Sequence, residues 1–208
     1  MGAALLTALL AAPAAADQAA PPAAAQPSEQ AALDIVKFLA GGVTGLFLHE
    51  GGHLLLDVAF DADPHVGGVR FGVVPFFAIE HRSDLSPRRE FIVSSAGFWV
   101  QEAGNEWLLT RRPALRREHA PFAKGVFAFN VLTSVGYAVV AFARAGPGER
   151  DTRSMAAVSG IDEPVIGAFV LAPAVLDGWR YFQPDARWAV WASRAAKVAG
   201  VLLVVKRH

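Results

Sequence analysis

Phe38-Leu39-Ala40-Gly41-Gly42-Val43-Thr44-Gly45-Leu46-Phe47-Leu48-His49-Glu50-Gly51-Gly52-His53-Leu54-Leu55-Leu56-Asp57-Val58-Ala59-Phe60 is an apolar run with an H-E-x-x-H pattern inside it. Its length is enough to cross a bilayer as a helix. On a helix, positions i and i+4 share a face, so His49 and His53 can reach one metal ion. Glu50 beside them can take a proton from water at that metal. Ionisable groups at such depth are expensive, and where they persist they usually serve a function. The alternative is a pair of histidines hydrogen-bonded in a helical core, with Glu50 facing a polar gap.

Working outward, Gly41 and Gly45 form a G-x-x-x-G face that lets another helix approach closely. Gly51 and Gly52 leave room beside the metal. Asp57 lies on the histidine face, but about 12 Å beyond His49 along the axis, and reads as a helix-end or supporting residue. Residues 66–80 are rich in β-branched and aromatic side chains and are broken by Gly and Pro, which predicts a small β-hairpin or loop with Pro75 at an edge. An exposed edge there could pair with an extended substrate segment. Residues 90–109 predict a weaker apolar helix, with Gln101, Glu102, Asn105 and Glu106 as a polar stripe turned toward a bundle interior or toward water at a helix end. Residues 121–143 predict a cleaner span, and 144–160 a polar Gly/Pro-bearing connection. Residues 164–178 are apolar around Pro173 and end at Asp177. A last helix, about 188–205, spans or lies at the interface.

Composition agrees with this pattern. Of 208 residues, 53% are hydrophobic and only 18% charged, too apolar for an ordinary soluble domain. The fold expected is mainly α: a polytopic membrane helix bundle of about four or five membrane helices with the small hairpin near 66–80. Residues 1–16 read as a signal peptide ending in Ala14-Ala15-Ala16, residues 17–33 as a flexible Ala/Pro linker, and 34–208 as the membrane-embedded domain. Net charge is zero, so no basic footprint points to nucleic acid. Cysteine is absent, so any zinc must be held by His and carboxylate. Arginines flank segment 90–109 on both sides, which leaves orientation undecided by charge and admits a re-entrant segment.

Two histidines do not complete a catalytic zinc site, which commonly has three protein ligands. His65, His81, His119 and His208 lie in polar or terminal segments. Asp177 is the carboxylate of the later apolar helices. It needs a partner there, and a divalent cation is a suitable one, so Asp177 is the expected third ligand. A helix cap or a salt bridge to Arg180 is the alternative.

Three stretches, in order, resemble the site-2 protease family of intramembrane zinc metalloproteases. They are His49-Glu50-Gly51-Gly52-His53, the basic stretch from Ser86 leading into Ala96-Gly97-Phe98-Trp99-Val100-Gln101, and Leu176-Asp177-Gly178. The second is similar to the family's A-G-P-x-x-N, with Phe98 for Pro and Gln101 for Asn. The third is similar to its L-D-G, without the preceding N-x-x-P-x-P. The resemblance implies zinc, with His49, His53 and Asp177 as ligands and Glu50 as general base. It implies Gly97, Gln101 and Gly178 as cavity or substrate-positioning residues. It further implies a membrane-spanning protein as substrate, cut in or near the lipid bilayer of a bacterial-type inner membrane. The activity expected is therefore that of a zinc metalloendopeptidase. The other reading is a non-catalytic scaffold that binds metal or a client helix.

Overall fold

The computed structural model describes residues 29–71, 74–82, 84–146, 148 and 150–206. The expected signal peptide lies outside them, as does most of the expected linker. Glu29–Leu33, the end of that linker, already belong to the first helix.

The order is α1 (Glu29–Ala59), β1 (His65–Phe71), β2 (Val74–Glu80), α2 (Pro87–Arg111), α3 (Pro121–Ala143), α4 (Asp151–Ser159), α5 (Glu163–Phe182) and α6 (Arg187–Lys206). Three of these, α1, α3 and α5, are long and apolar enough to cross a membrane. That is fewer than the four or five expected: α2 carries too many charged and polar side chains, and the side chains at the end of α6 lie outside the described residues. Leu39, Phe47, Leu55 and Val58 of α1 and Leu132 and Val139 of α3 are exposed. Such apolar surface is compatible with contact to lipid.

α1 and α3 run side by side in the same direction. Their contact is built on small residues: a Cβ at Gly41 would collide with the Phe122 carbonyl, and one at Gly125 with the Phe38 carbonyl. Gly45 leaves room for the Phe129 ring. The G-x-x-x-G face thus serves close helix approach. His119, just before α3, bonds Asp34 near the start of α1 at 2.6 Å, which fixes the same register.

α2 is a continuous helix running the opposite way. Ser86 caps it, accepting from the Arg89 amide, and Pro87 opens it. Its polar stripe divides. Gln101 and Asn105 are buried toward α3, where the Asn130 amide donates to Asn105 Oδ1 at 2.9 Å. Glu106 turns toward α5 and α6. Two apolar cores follow from this layout. One joins Phe91, Phe98, Met155, Ile166 and Val170 beneath α4, and the other joins Leu108, Leu109, Leu115, Val126 and Phe127 at the opposite end.

β1 and β2 form a two-stranded antiparallel sheet in which His65 faces Glu80 and Arg70 faces Pro75. The polar, Gly/Pro-bearing segment 144–160 contains α4, which ends at Gly160 in the left-handed conformation.

Candidate metal centre

His49 and His53 stand one turn apart on α1, both buried. The His53 Nδ1–H donates to the Val93 carbonyl on α2 at 2.8 Å. That bond fixes the ring and leaves Nε2 as a lone pair, as in metal-binding histidines. His49 Nε2 lies 3.3 Å from His53 Nε2. Its ring packs edge-on against Phe98 at 5.5 Å and beside Tyr137 at 6.0 Å.

The third member of the group is Asp151, the first residue of α4. Its Oδ2 is 3.4 Å from His49 Nε2 and 3.6 Å from His53 Nε2. Ligand atoms about 2.0–2.2 Å from one tetrahedral metal lie about 3.3–3.6 Å from each other. His49, His53 and Asp151 could therefore hold a metal ion. The chemistry of the donors agrees. Asp151 Oδ2 has no hydrogen-bond partner among the described residues, and three acceptor-type atoms converging in a dry place need a cation or proton between them.

Asp151 is aimed by its neighbours. Arg150 donates to both oxygens of Glu163 at 2.7 and 2.8 Å, and the Thr152 hydroxyl donates to Glu163 Oε1 at 3.1 Å. The residues on either side of Asp151 are thus pinned to the first turn of α5. Tyr137 of α3 stands beside Asp151 and the His49 ring.

The expected third ligand, Asp177, is elsewhere, and this is a correction. It is fully buried, and its Oδ1 accepts from Ser193 at 2.5 Å, Lys197 at 3.0 Å and Arg180 at 3.2 Å. The need of a buried carboxylate for a cation is met by two side-chain cations in place of a metal. Gly178 shares that end of α5, with open space where a Cβ would be. It lines nothing at the histidines.

Gly97 is at the centre, because a Cβ there would strike the His49 ring. Gln101 is one turn further along the same face of α2. It is buried, and neither end of its amide has a hydrogen-bond partner among the described residues. Gly52 admits α2 more than it makes room for metal, since its Cβ would sit 2.9 Å from the Ala96 carbonyl oxygen. Gly51 faces open space.

Glu50 borders the group on the side of the hairpin. It is 8% exposed, and its Oε2 accepts from the Ile79 amide of β2 at 3.1 Å. Close by, His81 joins three elements. Its Nδ1 is 3.2 Å from Asp57 at the end of α1, and its Nε2 is 2.8 Å from Glu90 at the start of α2. The ion pairs with Asp57 and Glu90 push the His81 pKa up to about 10. His81 in turn holds Glu90 below the usual range.

Sequence reasoning missed Asp151 and Tyr137. Asp151 is 98 positions from His53 in a polar connection, where a carboxylate attracts no notice. Its one local sign is an acidic residue opening a short helix, which is common at any helix N-terminus. No protein-family model, curated protein or solved structure matches this chain.

Proposed function

We propose that this chain is a membrane-embedded zinc metallopeptidase that hydrolyses peptide bonds of membrane-spanning protein substrates, in a bacterial-type inner membrane. The observation that carries the reading is the convergence of His49 Nε2, His53 Nε2 and Asp151 Oδ2 at 3.3–3.6 Å, with Glu50 next to His49 in the same helix. Two imidazoles and one carboxylate suit zinc and leave a fourth position open. Zinc, when bound, acidifies water and polarises a peptide carbonyl. Glu50 receives the proton as water attacks, and returns it to the leaving amine. Its Oε1 is available for this while Oε2 keeps the Ile79 amide. The first two stretches of the resemblance to site-2 proteases support the reading. The L-D-G stretch does not, since Asp177 is held by Arg180 and Lys197.

The test combines metal analysis with cleavage of a membrane-spanning peptide probe by the purified full-length protein. His49→Ala should lose both metal and cleavage. Glu50→Gln should keep zinc and lose cleavage by roughly 10²–10⁴-fold. A second reading is a non-catalytic protein that holds metal or a client helix. It is favoured by the Ile79 amide, which already occupies one Glu50 oxygen. Zinc retention with equal cleavage, or none, in wild type and Glu50→Gln selects it.

A further inference from the structure

Between α2 and α6 lies an open groove of about 680 Å³, walled by Ala103, Trp107 and Val198 and floored by charge. On the floor, Glu106 is shared by three cations: Arg180 at 2.6 Å, Arg194 at 2.8 Å and Lys197 at 3.1 Å. Lys197 and Arg180 also share Asp177. Glu102 of α2 lies near Lys197 of α6, but burial pushes its carboxyl up to about 8, and Arg111 lines the groove. Four cations thus meet two carboxylates, Glu106 and Asp177, that carry charge at neutral pH. The excess is positive, in a groove whose walls are apolar, and an anion with an apolar body is its complement.

The surroundings say which anion. Four of the five tryptophans, Trp107, Trp179, Trp188 and Trp191, are exposed at this end of the bundle. The Arg194 guanidinium lies 5.5 Å from the centre of the Trp191 ring. Arg112, Arg116, Arg117 and Arg187 are at the same end, against Glu118 and Asp185. Here α1 and α3 begin and α5 ends, so apolar surface gives way to polar. Exposed indole rings favour the headgroup level of a bilayer, and clustered arginines there favour anionic lipid.

We propose that the α2/α6 groove binds an anionic phospholipid, its phosphate against Arg111, Arg194 and Lys197 and its acyl chains along Val198 and the exposed apolar face of α6. The inference rests on membrane residence and is independent of the metal centre.

The full-length protein in detergent micelles is titrated with phosphatidylglycerol, phosphatidylcholine or inorganic phosphate, and read by native mass spectrometry and thermal unfolding. Phosphatidylglycerol should stay bound and raise the unfolding midpoint, and the other two should do neither. Arg111→Gln and Arg194→Gln should each weaken phosphatidylglycerol roughly fivefold, whereas Arg88→Gln at the other end should not. Thr110→Glu, which removes no cation but replaces the hydroxyl bonded to Glu106 and Arg194, adds an opposing charge on the groove and should also weaken binding. Equal effects of the two lipids, an effect of phosphate equal to that of phosphatidylglycerol, or wild-type binding by Thr110→Glu would overturn the proposal.

Discussion

At the scale of single residues, two aspartates have opposite assignments. Asp151 converges on the imidazoles, whereas Asp177 is bonded to Arg180, Ser193 and Lys197. Asp151→Asn should therefore release the metal with little loss of fold, because it removes a charge from the site and keeps the shape. Asp177→Asn should keep the metal and lower stability by on the order of 3 kcal/mol, since it leaves buried cations short of their counter-charge. Elemental analysis and chemical unfolding of both variants check this pair. A less direct case is Glu163, which touches neither imidazole but holds Arg150 and Thr152 on both sides of Asp151. Glu163→Gln should weaken metal binding roughly 10-fold or more, as loss of an orienting partner does. Metal affinity by competition with a chelator is the measurement, and an unchanged value would mean that α4 places Asp151 without α5. These residues also mark the limits of the sequence. The i, i+4 spacing of His49 and His53 is dictated by helix geometry and could be read directly. The rule that a carboxylate in an apolar segment needs a cation held for Asp177, but the cation is Arg180, visible three positions on, together with Lys197, which only folding brings near. Asp151 could not be read, because nothing local links it to residues a hundred positions away.

At the scale of elements, hydropathic runs gave α3 to its ends and the middle of α1 and α5, but α1 begins at Glu29, ahead of its apolar run, and α5 runs on to Phe182. The hairpin was legible from its β-branched residues and glycines. α4 was not, because nine mostly polar residues with a modest apolar side differ little from a loop until Met155 finds Phe91 and Phe98. The joint between α1, β2 and α2 is made by one imidazole, His81, between Asp57 and Glu90. An unfolded histidine titrates near 6.5, and His81 in the fold near 10. A raised folded value means that the joint contributes stability in full below about pH 6.5, and that this contribution fades as pH rises through 10. Thermal unfolding of wild type and His81→Gln should therefore differ most at or below pH 6.5, with the gap narrowing toward pH 10. A gap that widens with pH would mean that His81 is neutral in the fold.

At the scale of the whole molecule, the exposed faces of α1 and α3 carry large apolar side chains that no other part of the chain covers among the described residues. Water is a poor solvent for such a surface. The protein should stay in the membrane pellet after alkaline carbonate extraction. Recovery in the supernatant would remove the membrane reading and, with it, both the membrane-spanning substrate and the bound lipid.

The division of the metal group between α1 and α4 also has a consequence in time. A chain is made from its N-terminus, so α1, α2 and α3, with both imidazoles in place, exist before Asp151 has been added. During that interval the nascent protein holds a bidentate nitrogen pair and no clasp. Only the arrival of α4, fastened through Arg150 to the start of α5, shuts the ring of donors. A centre wired this way is incomplete at first, and gains its third donor only once α4 has been made.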